Sequence, residues 1–128
     1  MLRAVEVVRS QPGADPDRIL IGGQGISGAL ALYAAILDPR VHQVLMQNPP
    51  ASHTDGPYFL NVLRYTDLPE AAALLAPRRL NFLGRVPAAF ENTRHVYALQ
   101  GVPGRLHLTM EVEAVLEGRY HHNFSSGL

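Results

Sequence analysis

The chain has 128 residues, 47% of them hydrophobic and 17% charged, which fits one globular domain spanning residues 1–128 with a sizeable core. Eleven basic and eleven acidic side chains balance to a formal charge of zero, so neither nucleic acid nor an anionic membrane surface is an expected partner. The absence of cysteine excludes a disulfide scaffold, a thiolate nucleophile and any cysteine-ligated metal, and leaves the cellular compartment open.

In chain order, Leu2, Val5 and Val8 repeat at helical spacing until Gln11, Pro12 and Gly13 stop the helix. Arg3 and Glu6 interrupt the apolar stretch, so no signal-like block is visible there. The longest apolar run, residues 29–37, is too short to cross a bilayer, and the chain is expected to be soluble. Asp15, Pro16 and Asp17 make a turn. Residues 18–22 then form a short continuous apolar run, the pattern of a strand buried on both faces of a parallel sheet. From 26 to 37 nearly every residue is apolar or small, which predicts a helix covered on all sides and ended by Asp38 and Pro39. Residues 41–46 repeat the buried-strand pattern. The strand, helix and strand together have the length of a right-handed parallel crossover, which places the chain in the α/β class.

Residues 47–58 are rich in turn formers and read as a loop at the end of a strand, where open parallel sheets carry their sites. A short helix is expected over 60–65, an alanine-rich helix over 69–75, a third strand over 79–83 and a helix over 87–99. A fourth strand over 105–112 follows, with helix-like residues beyond it.

The turn between the first strand and helix contains Gly23, Gly25 and Gly28, spelling G-x-G-x-x-G. That spacing between a strand and a helix suits the pyrophosphate of a dinucleotide. Such a site expects an acidic residue after the next strand, where this chain has Gln47 and Asn48. The competing reading is a nucleophile elbow, a sharp strand-to-helix turn that holds a catalytic side chain at its tip.

Asp15-Pro-Asp-Arg-Ile, the glycine turn, the alanine-rich helix ending at Asp38, and Arg40-Val41 resemble the elbow region of bacterial α/β-hydrolases. Leu63-Arg-Tyr-Thr-Asp-Leu-Pro69, and Ala76-Pro-Arg78 before a strand, resemble the acetyl-xylan-esterase-like branch of that superfamily. The resemblance implies the C-terminal half of an α/β-hydrolase fold, about four mostly parallel strands flanked by helices. A complete domain of that kind needs about 200 to 250 residues. The loop that normally supplies one oxyanion-hole donor belongs to the other half.

Set against the family pattern without gaps, the nucleophile position falls on Gly25, which has no side chain to attack a carbonyl. A frame shifted by two residues turns Gly25-Ile-Ser-Gly-Ala29 into a G-x-S-x-A elbow with Ser27 as nucleophile. The plainer account of Ser27 is a first-turn serine that caps or packs the helix. The resemblance places the catalytic histidine after the last strand, where His121 and His122 stand. His122-Asn-Phe124 matches the usual ending, although both are equally read as ordinary exposed histidines. The triad acid is missing from residues 84–89. Asp55 is the available substitute, though an aspartate beside Gly56 is explained by a turn, and Asp67 by a helix cap.

His42, His53, His95 and His107 show no paired ligand spacing, so no metal and no other cofactor is expected. Arg78 and Arg79 have the chemistry to bind an anion, but such residues more often cover the end of a sheet. The expectation is a catalytically degenerate esterase-like domain with a structural, binding or assembly role. Its rival is an active serine esterase segment using Ser27 and His122, with a partner supplying the oxyanion donor. Dinucleotide binding through Gly23, Gly25 and Gly28 is the third reading. The strand at 18–22 would lie at a raw sheet edge, inviting the missing amino-terminal half, another chain or a second copy.

Overall fold

The computed structural model describes residues 2–118. An opening helix, α1 (Leu2–Ser10), leads to β1 (Leu20–Gln24), α2 (Ile26–Leu37) and β2 (Gln43–Gln47). A long loop carrying two short 3-10 turns, His53–Asp55 and Val62–Arg64, then reaches α3 (Leu68–Ala73). The chain continues through β3 (Arg79–Leu83), α4 (Glu91–Leu99), β4 (Leu106–Thr109) and α5 (Val112–Leu116). The four strands lie in the order β1-β2-β3-β4, and all three pairings are parallel. Leu20 stands opposite Gln43, Gln43 opposite Arg79, and Leu80 opposite Leu106.

Alternation along the strands sends successive side chains to opposite faces. Val44, Met46, Leu80 and Phe82 face one side and join Ala29, Leu32 and Ala35 of α2, Ala71 and Ala72 of α3, and Tyr97 of α4 in the main core. The alanines of α2 let its backbone lie close to the sheet. Leu45 and Leu83 face the other side, where they meet Val115 of α5 in a smaller cluster. Arg78 locks the bottom of the main layer by donating from Nη1 to the carbonyls of Ala35, Asp38 and Val41 at 2.7, 3.2 and 2.9 Å. Those carbonyls include the unpaired end of α2, so the guanidinium caps a helix. Its neighbour Asp38 is paired with Arg40, whose hydrogen bonds hold the carboxyl down to about 2.

Two expectations about burial require correction. β1 begins two residues later than the apolar run and is partly exposed along its length, because among the described residues it is an edge strand with only β2 beside it. The helix α2 keeps its expected bounds but is not covered on all sides: Ile26, Leu30 and Leu37 are exposed. A continuous apolar run encodes tolerance of burial, and among the described residues the other elements cover only part of the helix. Smaller differences follow from local competition. The short helix over 60–65 is a single 3-10 turn, and the fourth strand ends at Thr109 so that Val112 opens α5. No described helix is long and apolar enough to cross a membrane.

Candidate functional site

Gly25 is the single residue between β1 and α2, with φ 57° and ψ −125°. Residues with a side chain rarely adopt that conformation. Its N–H donates to the Gln47 carbonyl at 2.8 Å, which ties the corner to the end of β2. Among the described residues, a Cβ built on Gly25 would meet nothing within 4 Å at the start of the helix.

The flanking glycines are required for a different reason. A Cβ on Gly23 would lie 2.6 Å from the Ser27 carbonyl carbon, and one on Gly28 would lie 2.7 Å from the Gly23 oxygen. The strand and the first turn of the helix therefore touch backbone to backbone. The G-x-G-x-x-G spacing has a packing account that needs no ligand: two glycines for contact and one for the turn.

Ser27 is the second residue of α2 and is exposed. Gly25 rather than Ser27 precedes the helix, and the Ser27 hydroxyl makes no hydrogen bond among the described residues. It therefore does not cap the helix. Asp55 ends the 3-10 turn at His53–Asp55 and is exposed, and its N–H donates to the Ser52 carbonyl at 3.0 Å, a turn contact. The next residue, Gly56, sits over the start of α2, since a Cβ there would approach Ile26 Cδ1 to 2.9 Å. His121 and His122 lie outside the described residues.

The loop between β2 and α3 contains a polar network with no sequence motif behind it. His53 is 2% exposed, and its Nδ1 and Nε2 lie 2.7 Å from the Pro57 carbonyl and 2.7 Å from the Tyr33 hydroxyl. A carbonyl only accepts, so Nδ1 donates to Pro57, while Nε2 is paired with the Tyr33 hydroxyl. Both ring nitrogens are thereby committed. Asp67 holds the loop from the other side. It accepts from the His53 N–H at 2.7 Å, from the Ser52 hydroxyl at 2.5 Å, and from the Leu68 N–H at 2.8 Å as the cap of α3. Burial works against its charge, but the hydrogen bonds from Ser52, His53 and Leu68 prevail and lower its pKa. Tyr33 moves the opposite way: burial raises its hydroxyl, and the Asp67 charge adds to the rise. Phe59 closes the cluster against the rings of Tyr33 and His53.

No motif points to Asn48 either. It adopts φ 44°, and its Oδ1 accepts from the Arg85 N–H at 2.8 Å. A Cβ on Gly84 would come within 2.5 Å of that oxygen, so an amide side chain fills the end of the sheet between β2 and β3. An asparagine directly after a strand was the available signal, because asparagine is the side chain that best tolerates left-handed backbone. Among the described residues no group of three potential ligands is placed to hold a metal.

The profile of a family described as acetyl xylan esterase (AXE1) matches residues 1–72. No curated protein sequence matches the chain. Among solved structures, a Bacteroides fragilis protein described provisionally as an acetyl xylan esterase superposes with a TM-score of 0.64 at 17% identity, covering 88% of this chain and 34% of the other. A carbohydrate esterase family 15 glucuronoyl esterase from Caldicellulosiruptor kristjansonii gives a TM-score of 0.64 at 20% identity, covering 91% of this chain and 45% of the other. The chain thus shares the fold of these esterases and spans less than half the length of either.

Proposed function

We propose, because this chain belongs to the acetyl xylan esterase (AXE1) family, that it is a catalytically silent relative of the carbohydrate esterases whose retained role is binding or assembly. One observation carries the proposal: Gly25 occupies the residue between β1 and α2, with open space where a nucleophile's side chain would stand. The end of β3 supports it, since Gly84 and the Asn48 amide take the place where an acid is expected and residues 84–89 contain no carboxylate. With neither nucleophile nor acid, the turn survives as architecture.

The test is hydrolysis of an activated acetate ester by the wild type, Ser27→Ala and His122→Ala. The expected rate for all three is that of buffer. Turnover abolished by both substitutions would overturn the proposal in favour of a serine esterase with Ser27 as nucleophile, His122 as base and Asp55 as acid. Titration with a nicotinamide dinucleotide is expected to give a flat response up to about 1 mM.

The assembly role is assigned to the edge of β1 and the exposed residues Ile26, Leu30 and Leu37 beside it. An unpaired parallel edge next to an apolar helix face suits a further polypeptide strand. Sedimentation at increasing concentration checks this, and a stable monomer throughout would contradict it.

A further inference from the structure

The bonds that β1 makes on one side fix what it presents on the other. The Ile19 carbonyl accepts from the His42 and Gln43 N–H groups at 2.9 and 3.3 Å, and the Gly25 N–H donates to the Gln47 carbonyl. Residues 19, 21, 23 and 25 therefore turn their backbone groups towards β2, and the alternation of a strand turns those of Leu20, Gly22 and Gln24 outwards. Among the described residues no strand pairs with that outer side. Edge strands are commonly guarded by charged residues or proline, and residues 19–24 contain neither.

The outward groups are self-complementary. When a second copy is turned by a two-fold axis through Gly22, the two strands run antiparallel, Gly22 faces the partner's Gly22, and Leu20 faces the partner's Gln24. Residues facing in this way exchange both backbone hydrogen bonds, so the ladder holds about six. Sliding the copies either way leaves Leu20 or Gln24 opposite a residue outside β1, so this register alone uses every outward group. On the face that packs against α2, Ile21 stands opposite the partner's Gly23, a large side chain against none. The two Ile21 side chains are then diagonal neighbours about 7–8 Å apart. Beside them an apolar groove of about 100 Å³, lined by Val5 and Val8 of α1 and by Ile19 and Ile21, adjoins the seam. Gly22 puts no side chain on the axis, and β2 requires this, since a Cβ there would lie 2.8 Å from the Leu45 carbonyl oxygen.

We propose that the occupant of the β1 edge is a second copy of this chain, joined by antiparallel pairing of Leu20–Gln24 about Gly22 into one continuous sheet. The proposal rests on the reading that this edge carries the assembly role, and it supplies the partner and the register. A formal charge of zero leaves two copies without net repulsion. The contact is isologous, so it closes at a dimer and uses up both edges.

The chain has no cysteine, so introduced cysteines report the register. Leu20→Cys and Gln24→Cys are made separately in the full chain and equilibrated in a glutathione redox buffer, each alone and as an equal mixture. Residues facing across such a pair have Cα atoms about 5.5 Å apart, within disulfide range, whereas residue 20 lies about 14 Å along the strands from its own copy. The mixture is expected to give a cross-linked dimer, and either variant alone is not. Gln24→Lys places a charge on the exposed edge and is expected to weaken the wild-type dimer about tenfold in sedimentation. Cross-linking by one variant alone, a wild-type dimer whose mixture gives no cross-link, or a dimer unmoved by Gln24→Lys would each overturn this pairing and leave the assembly reading standing. A monomer at every concentration would overturn both.

Discussion

The β1–α2 corner and the loop between β2 and α3 meet where Gly56 lies over Ile26, yet opposite kinds of force hold them. The corner is a matter of backbone sterics: Gly23 and Gly28 in contact, Gly25 in a conformation open to few residues, and no ionisable group from 22 to 28. The loop is a matter of polar side chains, with His53 and Asp67 satisfying groups separated widely in sequence. The shape of the corner therefore depends on no reactive side chain.

The sharpest way to break the comparison is to add a methyl group at the contact. Gly23→Ala or Gly28→Ala forces a Cβ into backbone less than 3 Å away. Each is expected to cost about 3 kcal/mol, read from urea unfolding midpoints. A loss below about 1 kcal/mol would mean that the corner relaxes freely.

Removing the loop's anchor ranks next. Asp67→Ala strips the cap from α3 and leaves the Ser52 hydroxyl and His53 N–H without their acceptor, for an expected loss of about 2 kcal/mol by the same measurement. Acid should separate the regions without mutation. The folded pKa of Asp67 lies below its ordinary 3.8, so its contribution is present above that pH and lost as pH falls beneath it. Amide exchange at His53 and Leu68 is expected to accelerate relative to Gly25 in that window. Equal acceleration at Gly25 would show that the two regions open together.

Smaller effects sharpen the corner itself. Gly25→Ala meets no atom but forces a side chain into positive φ, for an expected loss of about 1 kcal/mol. Its cost should fall clearly below that of Gly23→Ala, since strain without a clash is the milder fault. Ser27→Ala, at an exposed hydroxyl with no cap to lose, is expected to change stability by less than about 0.5 kcal/mol.

Much of this corner was legible in advance. The apolar run, the three glycines and the helix over 26–37 were readable because each rests on periodicity or on a local backbone requirement. The Asp67 cap and the turn at Asp55 were readable for the same reason. The loop's centre was not. His53 counted as one of several scattered histidines, and nothing in its neighbours announced that Tyr33, 20 residues away, would meet it. Asn48 escaped because its role depends on Gly84, on another strand.

By itself the sequence determined the types and order of the elements, the α/β class, the resemblance to the esterases and the need for glycine at the turn. The elements, the class and the glycine turn follow from interactions between residues a few positions apart. Only the tertiary structure decided that Gly25 rather than Ser27 stands between strand and helix, and that His53 and Asp67 share a network. Those outcomes depend on strand order and register, which bring distant residues within bonding distance.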